Sequence, residues 1–293
     1  MFGRGSDMAV LKPFRVSGPA PGEGLVLRLL NGRVALALLS VLLIWMLVGE
    51  ARAQIMASAE QTVLDTLIKW TPLMLLGPPG ELGGFVLNVI VSFLAMAMGT
   101  FMGIWLGLGQ VSLWAPVRRA SWVITQLFRN SPWLVLLFYF MLMLPFQIKI
   151  FGVVIPVEGW VKATFALSLP IMANISEIVR GSIQSIPSGQ WESAESLAFS
   201  RYQTLWMIIL PQCVKRMIPP WMNWYAILTM STPLISILGV ADGMSLTQDA
   251  LAAEGRSEYL IPMYLWLMSW FFIYCYPIAR WTISLERRFQ VNI

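Results

Sequence analysis

Long apolar stretches separated by short polar ones run along most of this chain, and their lengths predict membrane-crossing helices. A hydrocarbon core takes about 20 residues of helix, within a range of about 17 to 25. Six stretches meet or approach that length. The first, Val34 to Val48, is short and stops before Gly49 and Glu50. It reads as an anchor, with a signal peptide cleaved near Ala51-Arg52-Ala53 as the alternative. The second runs from about Leu82 to Gly109 without a charge, and the third from Asn130 to Ile148. The fourth is weaker, because its uncharged core, Ala163 to Ser176, must borrow Trp160, Val161 and the turn carrying Glu177 and Arg180. The fifth spans Met217 to Ala241, with the Pro219-Pro220 pair expected to open its helix, since proline is tolerated in a first turn and breaks an interior. The sixth is Tyr259 to Ala279.

Composition agrees with this pattern. Of 293 residues 57% are hydrophobic and 12% charged, where a soluble domain carries roughly 25% charged residues. The expected fold is therefore an all-α integral membrane bundle. Its basic residues give an orientation: only Arg52, Lys69, Lys149, Lys162 and Arg256, five of the 20 Lys and Arg, fall outside if the leader is cytoplasmic. That asymmetry places both termini in the cytoplasm and explains the formal charge of +5 without a nucleic acid partner. Histidine is absent, which removes a His proton relay, a His metal site and a Ser-His-Asp triad together. Cys213 and Cys275 lie apart in apolar segments and suggest neither a disulfide nor a metal site.

One polar stretch does not fit simple membrane packing. In "WESAESLAFSRYQTLWMIILP", residues 191 to 211, Glu192 and Glu195 fall three residues apart if Glu192 to Phe199 is helical, and Ala194, Leu197 and Ala198 offer a small apolar surface. A helix this short needs something to pack against. Packing on its own bundle and docking into a separate protein both satisfy that need.

The wording of the stretch resembles the loop of ABC importer permeases, whose pattern is Glu-Ala-Ala, three residues, Gly, nine residues, then Ile, any residue, Leu, Pro. Here Glu192-Ser193-Ala194, Ala198, Ile208, Leu210 and Pro211 keep that spacing. Ser193 replaces alanine and Ala198 replaces glycine. Alanine is less at ease in a left-handed turn, so the bend after the helix is the feature the departure puts in question. "LFRNSPWLVLLFYFMLMLP" at 127 to 145, "EIVRGSIQSIPSGQ" at 177 to 190, "STPLISILGV" at 231 to 240 and "LERRF" at 285 to 289 extend the resemblance to the polar amino acid branch of these permeases. It covers roughly Leu82 to the C-terminus.

The resemblance implies a five-helix importer core over residues 82–293, with a coupling loop at about 182–211. Residues 1–33 would be a cytoplasmic leader and 34–81 an additional N-terminal crossing and outer segment, giving about six crossings of a bacterial inner membrane. It implies further that Gly189, Gln190, Glu192, Ser193, Ala194, Leu197, Ala198 and Arg201 meet an ABC ATPase dimer, that a second permease chain completes the pore, and that an extracytoplasmic solute-binding protein delivers an amino acid. ATP and Mg would sit on the ATPase. The sequence agrees on one point of its own: no Gly-x-x-x-x-Gly-Lys-Ser/Thr loop occurs, and "GPPGELGG" at 77 to 84 lacks the lysine. This chain is thus expected to be a conduit in contact with membrane lipid, without catalysis or cofactor.

Polar residues within crossings are candidates for the ligand path, because they should face the bundle or a cavity. Asn88, Asn223, Ser231 and Thr232 are the candidates, with interhelical hydrogen bonding as the competing explanation. The fifth crossing carries Asn223-Trp224-Tyr225 and no carboxylate, which suits a neutral or acidic amino acid better than a cationic one. Gly99, Gly103 and Gly107 repeat every four residues and predict close helix packing. Glu177 and Arg180 are spaced to pair on one helix face. Trp133, Trp160, Trp221, Trp266 and Trp270 read mainly as interfacial anchors. The alternative function is a self-powered secondary transporter or channel, a class marked by ionisable residues at mid-membrane, interrupted helix pairs or a repeated half. None of these is evident in the sequence.

Overall fold

The structure is a computed structural model that describes residue 40, residues 63–150 and residues 153–289. The chain divides into two units, 1–60 and 61–293, and the architecture below belongs to the second. The leader, the expected first crossing at Val34 to Val48 and the possible cleavage site lie outside the described residues, apart from Ser40.

The described chain is a helix bundle built around two long neighbours that run parallel, α2 (Gly84–Gln110) and α5 (Gly159–Gln184). Between them run α3 (Ala115–Arg129), α4 (Trp133–Met143) and a hairpin of β1 (Gln147–Ile150) and β2 (Val153–Pro156). The hairpin pairs antiparallel, Gln147 opposite Pro156. Ahead of them stands α1 (Val63–Leu76). After α5 come α6 (Ser188–Ser196), a single turn Arg201–Gln203, a π-helical segment Thr204–Ile209, and α7 (Leu210–Ser231). A 3₁₀ stretch Thr232–Leu238, α8 (Gly243–Glu254), a short 3₁₀ turn and α9 (Leu260–Phe289) complete it.

Helix α5 is the centre of the core and is buried continuously from Ala166 to Ser176. It touches α2, α3, α4 and α7, which explains its composition. Neighbours on several sides bury both its large apolar residues, such as Leu167 and Ile171, and its hydroxyls, which return to their own helix: Thr164 Oγ1 donates to Trp160 O at 2.7 Å, and Ser168 Oγ to Phe165 O at 2.6 Å. Such back-bonding removes the cost of burying a hydroxyl in an apolar bundle.

The α2–α5 seam follows from the glycine spacing. A Cβ on Gly103 would stand 2.7 Å from Ile175 Cβ and 2.8 Å from Met172 O, and Gly99 and Gly107 meet Ser168 O and Ser176 O equally closely. The contacts include backbone carbonyls, which cannot rotate away as a side chain would. Close packing is therefore the observed role of this stripe.

Three expected elements differ. The third crossing, expected over Asn130 to Ile148, is helical only from Trp133 to Met143, and its 11 residues span about 16 Å at 1.5 Å per residue. Pro132 breaks it from α3, an amphipathic helix the periodicity reading passed over, and Leu144-Pro145 ends it before the hairpin. The fifth helix does not start at Pro219-Pro220; both prolines lie inside α7. The carbonyls they leave without intrahelical partners are those of Lys215 and Arg216, in the polar part of that helix. The sixth helix is longer than Tyr259 to Ala279 and reaches Phe289. By length and composition, Gly84–Gln110 and Ser257–Leu285 can each cross a membrane; α5 carries Lys162, Glu177 and Arg180 within its length.

Candidate functional site

The stretch singled out in the sequence forms a tightly capped helix. Pro187, with φ −54°, is the N-cap of α6 and sets its entry, while Ile186 beside it is buried. At the other end Ala198 N donates to Glu195 O at 2.9 Å and Phe199 N to Ala194 O at 3.1 Å. These are the two bonds of a Schellman motif, which places the residue after the C-cap in the left-handed region. That residue is Ala198, with φ +60°, the one non-glycine in this region among the described residues. The bend that a glycine would make is retained by alanine under backbone strain.

The chain then restarts at Ser200. Its Oγ accepts from Gln203 N at 3.3 Å, and Gln203 Oε1 accepts from Ser200 N at 2.8 Å, a reciprocal capping box. Helix α6 is thus held between two fixed corners rather than by a broad interface.

Its faces are divided. Ala194 is 1% exposed and is the side chain of α6 that enters the core. Glu192, Ser193, Glu195 and Leu197 point away from the bundle, Leu197 with 72% of its surface free. Gly189, Gln190 and Arg201 are also exposed, and Arg201 lies over the Trp191 ring at 5.5 Å. The helix therefore spans Ser188 to Ser196 rather than Glu192 to Phe199, and Leu197 and Ala198 belong to its cap.

The four ligand-path candidates do not come together. Asn88 is buried with its amide fully engaged: Nδ2 donates to Asp242 Oδ2 at 3.0 Å and to Thr232 Oγ1 at 3.3 Å, and Oδ1 accepts from Gly243 N at 3.0 Å. Thr232 Oγ1 donates to Thr229 O at 2.9 Å. These two residues form an interhelical clamp that ties α2 to the start of α8. Asn223 is exposed, and Ser231 Oγ returns to Ile227 O at 2.8 Å.

An apolar groove of about 790 Å³ lies elsewhere, between α2, α7 and α9. Phe93, Thr100, Trp221, Met222, Tyr225 and Trp281 are among its walls, and none of the four candidates is. Trp221 Nε1 donates to Thr100 Oγ1 at 2.7 Å, and its ring stacks on Tyr225 at 6.0 Å. Trp266 Nε1 likewise donates to Thr71 Oγ1 at 2.9 Å. These two tryptophans join helices, a role the anchor reading missed.

Two buried charges escaped the sequence reading. Asp242 is fully buried and caps α8, with Oδ1 accepting from Ser245 N at 2.9 Å. The Asp-Gly step followed by Ser245 is an N-cap signal, hidden because the fifth crossing was carried to Ala241. Lys162 is 1% exposed; its Nζ donates to Leu144 O at 3.0 Å and to Met141 O at 3.4 Å and lies 3.4 Å from the Phe146 ring centroid. It satisfies carbonyls left open at the end of α4. Both charges cap helices through backbone groups.

Glu177 and Arg180 pair at 2.6 Å, as their spacing indicates, and Arg129 from α3 approaches the same carboxylate at 3.7 Å. Arg180 also donates to Gln184 Oε1 at 2.7 Å. Below them Gln110 Nε2 donates to Thr125 Oγ1 at 3.0 Å and to Ser176 Oγ at 3.1 Å. The ends of α2, α3 and α5 are thereby knotted together. Cys213 and Cys275 are buried and unpaired, and among the described residues no cluster of three metal-ligating side chains occurs.

Comparison with known proteins places this geometry. Residues 99–278 match the family described as binding-protein-dependent transport system inner membrane component. The chain is 31% identical over 210 residues to the inner membrane amino-acid ABC transporter permease protein YhdY of Escherichia coli K12, a match covering 72% of this chain and 56% of YhdY. It is 28% identical over 207 residues to the probable glutamine ABC transporter permease protein GlnM of Bacillus subtilis, covering 71% of this chain and 92% of GlnM. Among solved structures, an amino acid ABC transporter with histidines superposes with a TM-score of 0.64 at 22% identity, over 79% of this chain and 100% of that one. The MetNI methionine ABC transporter does so with a TM-score of 0.52 at 15% identity, over 68% and 93%. These two likenesses speak for the fold. The family match spans both sides of the seam, the capped helix and most of α9, and by it this chain belongs to the binding-protein-dependent transport system inner membrane components, the permease subunits of ABC transporters.

Proposed function

We propose that this chain is the membrane-spanning permease of an ATP-driven importer for polar amino acids, working as a conduit without chemistry of its own. In this reading α6 is the coupling helix, and Gly189, Gln190, Glu192, Ser193, Ala194, Leu197, Ala198 and Arg201 form or shape the seat of a separate ABC ATPase that binds ATP and Mg. Two permease chains enclose the pore, an extracytoplasmic solute-binding protein supplies the ligand, and both termini lie in the cytoplasm.

The observation that carries the reading is the divided α6: Ala194 is buried and Trp191 packs partly against the core, two fixed corners hold it, and its acidic and apolar face is turned outward with none of the described residues covering it. Such a helix passes force from a docked partner into α5 and α7 on either side. Among the relatives, YhdY is named for amino acids and GlnM for glutamine, which supports the ligand class. The groove between α2, α7 and α9 has no carboxylate among its lining residues, so a neutral or acidic amino acid suits this chain better than a cationic one. Asn223 and Ser231 stay candidates for the ligand path in the assembled pore, while Asn88 and Thr232 act on it through the clamp they build.

The test is the composition of the complex that purifies with the tagged chain, compared with its Glu192→Lys variant. A soluble ATPase that accompanies the native chain and is lost from the variant supports the coupling role. A stable chain with no ATPase in either sample overturns it in favour of a self-powered transporter.

A further inference from the structure

We infer that Arg216 is a positioning residue for transport, which locks the end of α5 to α7 so that the two helices flanking α6 move as one lever. The inference rests on the importer reading above and adds the route by which motion of α6 reaches the membrane.

Arg216 sits on α7, and one terminal nitrogen of its guanidinium donates to Ser185 O and to Ser185 Oγ, both at 2.8 Å. Ser185 is the C-cap of α5. The cation therefore meets the negative end of a helix dipole and a carbonyl with no intrahelical partner, the arrangement in which a charge-assisted bond is strongest. Two residues beyond Ser185 the chain turns at Pro187 into α6.

The covalent route from α6 to α7 is much less direct. It passes through the left-handed corner at Ala198, the single turn Arg201–Gln203 and the six-residue π segment. The π segment is a rare conformation that marks functional sites more than rigid rods. A push on α6 transmitted by that route alone must turn the corner at Ala198 and cross the widened π segment before it reaches α7. The Arg216–Ser185 bridge bypasses both. It carries displacement of the α6 entry directly into α7, one and a half turns before Trp221 and Met222 on the groove wall. Gln212, four residues earlier on the same face, reaches Gln190 Oε1 at 3.5 Å and reinforces the link weakly.

An exposed ion contact of this kind adds little to stability. Its effect is geometric, and removal of the side chain should uncouple the helices while the fold stands. Arg216 differs in this from the Glu177 cluster, which joins α3 and α5 and does not reach α7.

The experiment uses the complex purified with its ATPase, with Cys213→Ala and Cys275→Ala as background and Met222→Cys as a probe. The rate at which a maleimide labels position 222 is compared before and after trapping with ATP and vanadate. In the parental complex the rate changes on trapping. With Arg216→Ala the ATPase still binds, but most of that change is lost. Arg216→Lys, which retains a cation and one carbonyl bond, restores most of it. An undiminished change in a complex carrying Arg216→Ala overturns the inference. So does loss of the folded chain or of the ATPase in both Arg216 variants, because the contact then serves folding. No trapping response in the parental complex overturns the importer reading itself.

Discussion

The α2–α5 seam and the α6 loop join the same helix to its neighbours by opposite means. Along the seam, Gly99, Gly103 and Gly107 bring backbone against backbone, so position is fixed by volume and nothing can yield. Around α6, position is fixed by a few directional bonds, at Ala198, Ser200 and Ser185, while most of the surface is open. The lesson is that α5 is rigid along its length and adjustable only at its end, which is what a transmitting element requires.

Breaking the seam should have the largest effect. Gly103→Leu inserts a branched side chain where even a Cβ meets Met172 O and Ile175, and overpacking of this kind costs about 3 kcal/mol or more. Little folded chain should be recovered by size exclusion in detergent, whereas Leu197→Ala on the open side should leave the yield unchanged. Equal yields for the two variants would erase the contrast.

The clamp at Asn88 comes next. Asn88→Ala leaves the buried Asp242 without one of its donors and Gly243 N without an acceptor, for about 2 kcal/mol. Thermal unfolding should fall by several degrees, and hydrogen exchange in α8 should rise first.

The strained corner offers the opposite sign. Ala198→Gly relieves the left-handed conformation at φ +60° and should stabilise the loop by up to about 1 kcal/mol. Slower exchange of the Phe199 and Ala198 amides is the measurement, and faster exchange would show that the corner is not strained.

The smallest effect concerns α1. Hydrogen bonds from Lys69 and from Trp70 hold the Glu254 carboxyl below its usual value of 4.5. A carboxyl whose folded value is lowered contributes above its unfolded value and loses that contribution as pH falls through the folded one. Acidification below about pH 4.5 should therefore loosen α1 from α8 slightly, read as protease sensitivity near residue 69, and Lys69→Ala should flatten the dependence.

Much of the bundle was legible because its rules are local. The glycine period, the length of α2 and the motif around Glu192 each carry their information in spacing. The departure at Ala198 also marked the residue that the structure holds in a left-handed turn. The shortened third crossing was hidden because Phe146 and Ile148 keep the stretch apolar beyond Pro145, so hydropathy sees one segment where the backbone ends a helix and begins a hairpin. Pro219 and Pro220 misled for the converse reason: a helix already nucleated at Ser200 runs through them, and the start signal was the capping box. Lys162 and Arg216 were missed because their partners include backbone carbonyls distant in sequence, which no side-chain pattern reveals, and Asp242 because its local cap signal abuts the apolar run that ends at Ala241.

The π segment Thr204–Ile209 has one further consequence. Its widened turn acts as a phase shifter between the residues ahead of it and the membrane part of α7. Since each residue of a regular helix advances the azimuth by about 100°, deleting a residue from α7 beyond it would swing Arg201 and Tyr202 to another side, whereas a deletion inside the widened turn is taken up by its return to ordinary pitch. The direction in which Arg201 and Tyr202 point is thus encoded in a count of residues, and the π segment is the stretch where a change of length is most easily absorbed.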